Sequence, residues 1–176
     1  MEITTWYLQQ TAADQLRSAT PASVTCIRSE LVSPEFNRFL YTAVGGEWHW
    51  TDRLGWSWRQ WQKWLDRPGV ETWVAYLRGT PVGYTELDGA TGDGVEIAYF
   101  GLLPSYVGKG IGGHLLTVAL RRAWELTSER VWVHTCSLDG PAALKNYQSR
   151  GMTLYRTETT DEEVAATSPG PWPGAR

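Results

Sequence analysis

The sequence predicts an α/β domain built on one mixed sheet with helices on both faces, and three observations predict it. Residues 72–77 and 81–87 are two strand-forming runs joined by Arg78-Gly79-Thr80, a link short enough only for a hairpin, so part of the sheet is antiparallel. Residues 95–103, 110–127 and 131–135 read as strand, helix and strand, the last rich in β-branched and aromatic side chains. A strand and two helical patterns precede this core and a helix and strand follow it, giving the order β, α, α, β, β, β, α, β, α, β.

Residues 3–8 carry a weak strand signal and Pro21 a turn signal, and no function is read from residues 1–20. Residues 23–28 form a strand. Ser33 then caps a helix with Pro34 in its first turn, running through Phe36, Phe39, Leu40 and Ala43 until Gly45-Gly46 stops it. In residues 57–65, Trp58, Trp61, Trp64 and Leu65 fall at spacings of three and four, a second helix ended by Arg67-Pro68-Gly69. Pro104 ends the strand of residues 95–103. Residues 141–149 form a helix with proline at its start and Gly151 as its left-handed cap, and residues 152–156 form the last strand. A single domain is expected over residues 1–160, with helices over about 34–66 and a core over about 72–158. The proline- and glycine-rich tail, 161–176, is expected to be disordered.

Composition narrows the function. A chain of 176 residues is long enough to bury a sizeable core as one domain. Its 16 basic and 19 acidic residues leave a formal charge of −3 with no basic run, which speaks against nucleic acid and anionic membrane and for a small-molecule partner. No apolar stretch approaches the roughly 18 residues of a membrane span, and the start, MEITTWYLQQ, lacks a basic segment followed by an apolar one, so a soluble cytoplasmic protein is expected. Cys26 and Cys136 are too few for a disulfide framework and lack metal-ligand spacing, so both are read as reduced thiols and no metal is expected.

The densest chemical signal is Val107-Gly108-Lys109-Gly110-Ile111-Gly112-Gly113, between a strand and a long helix. Glycines there let successive backbone N–H groups converge where a helix N-terminus presents partial positive charge, a geometry suited to pyrophosphate. The blander reading is a turn that lets the helix pack closely. Gly108-x-Gly110-x-x-Gly113 also spells the dinucleotide fingerprint, but Pro104-Ser105-Tyr106 separates it from the strand and the next strand ends in His134-Thr135-Cys136 with no carboxylate for a ribose. A nucleoside-triphosphate loop fails because Gly110 follows Lys109.

Taken whole, residues 95–116 resemble the coenzyme A signature of the GNAT superfamily of acyl-CoA-dependent N-acetyltransferases: strand, proline, aromatic, then a glycine-rich turn. Residues 141–152 resemble its closing motif, a helix carrying a tyrosine, here Tyr147, followed four residues later by glycine, here Gly151. The likeness covers about residues 72–158. It implies a largely antiparallel, twisted sheet with splayed central strands, an acyl-CoA-binding core over 72–158 and acceptor-side helices over 34–66. Three residues depart from the pattern: Val107 stands where Gln or Arg is usual, Gly140 where asparagine is frequent, and Met152 where Phe is common.

The resemblance also implies roles. Acetyl-CoA is the cosubstrate, held by Leu102, Leu103, Val107, Gly108, Lys109, Gly110, Ile111, Gly112, Gly113 and Asn146, with a backbone N–H of Leu102 or Leu103 on the thioester oxygen. Tyr147 is the expected general acid, its phenol protonated at neutral pH, with core packing as its alternative. Glu96 is the expected base, with a solvated sheet-surface glutamate as its alternative, and plain alternation groups it with Ala98 and Phe100 on one face, opposite Ile97 and Tyr99. His134 and Cys136, two apart on one strand, are read as core packing.

Eleven tryptophans need an account, since six fall between Trp48 and Trp64. Trp58, Trp61 and Trp64 are read as a core stripe. Trp48, Trp50 and Trp56 lie outside that periodicity and suit an aromatic acceptor pocket for an apolar or cationic amine, with His49 and Asp52 to orient it. The expected function is transfer of an acetyl group from acetyl-CoA to a primary amine of a small molecule or a peptide by direct attack, with a homodimer as one assembly it allows. The alternative is a non-catalytic acyl-CoA sensor with the same fold.

Overall fold

The computed structural model describes residues 1–164 and Gly170. In chain order the elements are β1 (Glu2–Gln10), β2 (Thr25–Arg28), α1 (Pro34–Gly45), α2 (Trp58–Leu65), β3 (Val70–Leu77), β4 (Thr80–Asp88), β5 (Val95–Leu102), α3 (Ile111–Leu126), β6 (Val131–Cys136), α4 (Ala143–Ser149) and β7 (Thr153–Asp161). The seven strands form one sheet in the order β2-β3-β4-β5-β6-β1-β7. Every neighbouring pair is antiparallel except β5 and β6.

Local chemistry sets the boundaries. Ser33 accepts from the Phe36 N–H to cap α1, and Ser57 and Gln60 form a reciprocal capping box at α2, which satisfies donors a helix start leaves free. Arg78 (φ 52°) and Gly79 (φ 86°) make a two-residue turn with both φ positive, whose twist matches the β3–β4 hairpin. At the end of α4 the Met152 N–H reaches the Tyr147 carbonyl and the Gly151 N–H reaches that of Gln148, a double closure that needs the left-handed Gly151 (φ 90°).

Apolar residues fill both sides of the sheet. On one, α3 lays Leu116, Ala119 and Leu120 against Leu87, Val95, Ile97, Val131 and Val133, with Tyr147 and Met152 in the same cluster. On the other, α1 and α2 lay Leu40, Tyr41, Val44, Trp61 and Leu65 against Val70, Val74, Tyr84 and Tyr99.

Three expectations change. Residues 2–10 form a strand inside the sheet, between β6 and β7, so the first strand of the fold precedes the one expected at 23–28. In β5 a bulge at Ala98 breaks the alternation, since Tyr99 pairs with Glu86 while Ile97 pairs with Leu87. Glu96 therefore shares the α1–α2 side with Tyr99, and Phe100 joins Ile97 on the α3 side, the reverse of the simple count. Asp161 pairs with Glu2 as the last residue of β7, and the Glu162 N–H reaches the Met1 carbonyl, so chain order persists past the expected start of the tail. The rest of the disorder expectation, over 165–169 and 171–176, lies outside the described residues.

Candidate active site

β5 and β6 pair only at Val95 with Val131 and Glu96 with Trp132, then diverge. The opening is bordered on one side by the second half of β5. The Leu103 N–H donates to the Val82 carbonyl at 2.9 Å, which makes Gly83–Leu102 the non-bonded kind of antiparallel pair. Leu102 therefore turns its N–H and C=O away from β4 and toward the opening, and Phe100, two residues back, does the same. Of the two donors the sequence left in contention, Leu103 is engaged within the sheet and Leu102 faces the gap.

The glycine-rich turn lies at the end of this opening. Gly110 (φ 79°) caps α3 in the left-handed conformation and Gly108 (φ 79°) matches it, and a Cβ on either would meet no atom within 4 Å. Both glycines thus face open space beside the free N–H groups of a 16-residue helix. A Cβ on Gly112 would lie 3.7 Å from both Leu102 Cδ1 and Asn146 Nδ2, so β5, α3 and α4 converge at this point. Gly113 is a packing glycine: a Cβ there would come within 2.6 Å of Arg150 Nη1 and 3.0 Å of Ala19 Cβ. Ile111 is buried beneath the turn against Leu102 and Leu115, Val107 is exposed, and the Lys109 ammonium lies 5.4 Å from the Tyr106 ring centre. Arg150 was not anticipated. Its guanidinium stands beside the first turn of α3 with a buried Nε that has no partner among the described residues.

Tyr147 projects from α4 into the α3-side core, its ring edge-on to Phe100 at 6.0 Å. Burial, with Asp139 adding to it, pushes its phenol far above the ordinary range, so the hydroxyl is neutral throughout the physiological range.

On the other face, Glu96 meets His134: Nδ1 lies 3.0 Å from Oε1, with the glutamate side chain 14% exposed and the histidine 48%. The expectation of a core His134 is corrected. Val131, Val133 and Thr135 take the buried positions of β6, so Trp132, His134 and Cys136 point to the opposite face. The parallel register that puts Glu96 beside Trp132 also puts it one diagonal step from His134. The β-branched alternation of 131, 133 and 135 carried that information in the sequence. Asp139 lies near the pair, its Oδ2 accepting from the Thr135 hydroxyl at 2.6 Å and the Cys136 N–H at 3.0 Å and its Oδ1 from Trp50 Nε1 at 3.4 Å.

The tryptophans divide in an unexpected way. Arg53 forks onto Glu86 with two bonds of 2.8 Å, and Trp56, Trp61, Trp64 and Tyr99 surround its guanidinium at 4.8, 5.5, 4.6 and 4.4 Å. Trp56, expected in an acceptor pocket, thus helps enclose a cation of the chain itself. Trp58, expected in the core, is exposed and bonds Glu35 at 2.9 Å. Trp50 packs on Tyr41, Tyr84 and Tyr99 and reaches Asp139, and Trp48 lies over Gly140, so the connector touches the β6–α4 turn. Asp52 is exposed, and His49 takes a left-handed φ of 59° in the same connector.

Residues 30–152 match a family described as Acetyltransferase (GNAT) family. No curated protein matches the chain in sequence. Among solved structures, a GCN5-related N-acetyltransferase from Sphaerobacter thermophilus aligns with TM-score 0.65 at 16% identity, over 88% of this chain and 49% of its own. One from Kribbella flavida aligns with TM-score 0.64 at 20% identity, over 89% and 56%. A GNAT family acetyltransferase from Streptococcus pneumoniae aligns with TM-score 0.53 at 25% identity, over 73% and 86%. The chain thus spans about half the length of the first two.

Proposed function

The chain belongs to the Acetyltransferase (GNAT) family, and on that footing we propose that it transfers an acetyl group from acetyl-CoA to a primary amine of a small molecule or a peptide, the amine attacking the thioester directly. The observation that carries this reading is the opening between β5 and β6, with Leu102 turning its polar backbone into it and the glycine turn of α3 at its end. An extended thioester arm laid there meets backbone donors and acceptors of a sheet edge. Its pyrophosphate meets the α3 N-terminus over Gly108 and Gly110, with Arg150 as an added cation.

Acyl transfer to an amine needs an acceptor freed of its proton, a polarised thioester carbonyl and a proton for the departing thiolate. The Leu102 N–H supplies the polarising donor. Tyr147 supplies the proton donor, its neutral phenol on the α3 side of β5. Glu96 supplies the base from the α1–α2 side, where Trp50, Asp52 and Asp139 border the acceptor's approach.

The test is titration of acetyl-CoA into the protein by calorimetry, followed by free-thiol release with 2-phenylethylamine, spermidine and a glycine-initiated peptide. Binding with amine-dependent release is expected. Gly110→Asp should weaken binding about a hundredfold or more, because the left-handed position tolerates aspartate while its carboxylate opposes the pyrophosphate. Binding without release from any amine would favour a sensor, and an unchanged affinity in Gly110→Asp would overturn the assignment of the turn.

A further inference from the structure

We propose that His134 is the positioning residue of the base: its Nδ1–H holds Oε1 of Glu96, leaves Oε2 to the acceptor amine, and the charge on its ring gates the base. This rests on the reading of Glu96 as the base. The geometry is specific. Glu96 has His134 as its side-chain hydrogen-bond partner among the described residues, at 3.0 Å. The ring is held between Tyr7 of β1, centroids 5.8 Å apart, and Trp132 of β6 at 6.2 Å. A carboxylate tied at one oxygen to a ring fixed on both sides has one oxygen in a defined direction, which is what a base needs before the amine arrives.

Half of the His134 side chain is open to solvent, so its ring can gain or lose a proton without unfolding. The charged and titratable groups facing it are Glu96 from β5, Asp139 from the β6–α4 turn, Asp52 from the connector and Tyr7 from β1. Arg156 and Glu158 of β7 lie against Tyr7 and Arg130 over Trp132, each one ring removed from His134. The acidic neighbours outnumber the cations, and the Glu96 hydrogen bond, followed by the charges of Glu96, Asp139 and Asp52, raises the His134 pKa above its ordinary 6.5 against the opposing effect of burial. When the ring is an imidazolium, the adjacent charge makes the carboxylate a weaker base. When it is neutral with the proton on Nδ1, the hydrogen bond persists and basicity returns. Activity therefore rises as pH passes the midpoint of the ring.

Two measurements test this. In the free protein, NMR titration of His134 should give a midpoint above 6.5 that falls toward 6.5 in Glu96→Gln. Equal midpoints in the two proteins would overturn the proposal without any acceptor being known. With acetyl-CoA and the panel amine turned over fastest, kcat at saturating amine should rise through the same midpoint. In His134→Gln, which keeps a donor to Oε1 but cannot titrate, that limb should be lost. His134→Ala should lose about tenfold in kcat at pH 8.5, most of it restored in His134→Gln. If Glu96→Gln is inactive but His134→Gln keeps the parent pH profile, the inference alone fails. If Glu96→Gln retains full kcat, the base assignment fails and takes this inference with it.

Discussion

Glu86 and Glu96 lie on the same face of the sheet, on neighbouring strands, each with aromatic rings nearby, and their surroundings differ in one respect. Glu86 is 1% exposed and answered entirely from within: Arg53, itself 4% exposed, forks onto both oxygens, Trp64 Nε1 donates a third bond, and four rings enclose the guanidinium. Among the described residues Glu96 has no enclosed cation. Its partner is a half-exposed histidine that can be neutral or charged, and the sheet opens just beyond it. One carboxylate is balanced before any ligand arrives, so its chemistry belongs to folding. The other is met by a single histidine at one oxygen, Oε1. A glutamate beside tryptophans is therefore not a site by composition, and the separating criterion is whether the chain supplies the counter-charge.

The largest effects should come from removing each carboxylate in turn. Glu86→Gln leaves the Arg53 charge buried and unpaired, which costs about 3–5 kcal/mol and about 10 °C or more of Tm. Glu96→Gln should change Tm by no more than about 2–3 °C, since the partner it leaves, His134, is half in solvent and can stay neutral, while lowering kcat by roughly 10²–10⁴. Thermal melts and steady-state rates on the same two proteins check this. The comparison breaks if Glu96→Gln melts as low as Glu86→Gln, for both sites would then be structural.

A smaller pair sharpens it. Trp64→Phe removes the indole bond to Glu86 and weakens one ring over Arg53, a loss of about 1–2 kcal/mol in stability with the acceptor KM unchanged. Asp52→Asn removes an exposed carboxylate near His134, so stability should hold within about 0.5 kcal/mol while the KM of a cationic amine rises roughly two- to fivefold. Denaturant melts with KM for spermidine measure both, and a KM shift in Trp64→Phe would mean that the enclosed cage and the open corner are coupled.

What was legible in the sequence was mostly what short segments decide. Ser33-Pro34, Ser57 with Gln60, Arg78-Gly79 and Gly151 each fix a cap or turn through their own hydrogen bonds and dihedrals, so the helices and the hairpin were readable. The glycine turn was readable for the same reason. Long-range pairing was not. The place of residues 2–10 depends on partners more than 120 positions away, and the bulge at Ala98 shows itself only in the register of β4 against β5. That one extra residue decides which of Tyr99 and Phe100 shares a side with Glu96, so plain counting along β5 set both on the wrong side, whereas the alternation of β6 already turned His134 away from Val131, Val133 and Thr135. Arg53 and Glu86, 33 apart with a helix between them, were hidden likewise, and of the tryptophans that enclose Arg53 the sequence placed Trp61 and Trp64 in a core stripe but Trp56 in an acceptor pocket.

The smallest expected effect is also the one that separates the two carboxylates most cleanly, because it is a dependence on pH. The His134 pKa is raised in the folded protein, so the histidine contributes stability that is complete below its ordinary value of 6.5 and fades as pH rises through the raised one. With almost half of the side chain in water, solvent screening keeps that contribution within roughly 1 kcal/mol. The difference in unfolding free energy between the parent and His134→Gln should therefore be most favourable to the parent below pH 6.5 and shrink toward pH 8.5. The same difference taken for Glu86→Gln should stay flat over that range, since the Arg53 guanidinium it leaves behind remains charged throughout. If Glu96 is the base as proposed, activity runs the other way: the imidazolium that steadies the fold at low pH is the form that weakens that base, so the parent should be most active where this stabilising term has gone. Urea melts at pH 5.5, 7 and 8.5 measure the stability side, and a His134→Gln difference as flat as that of Glu86→Gln would remove the distinction between a charge pair closed within the fold and one whose histidine is half in solvent.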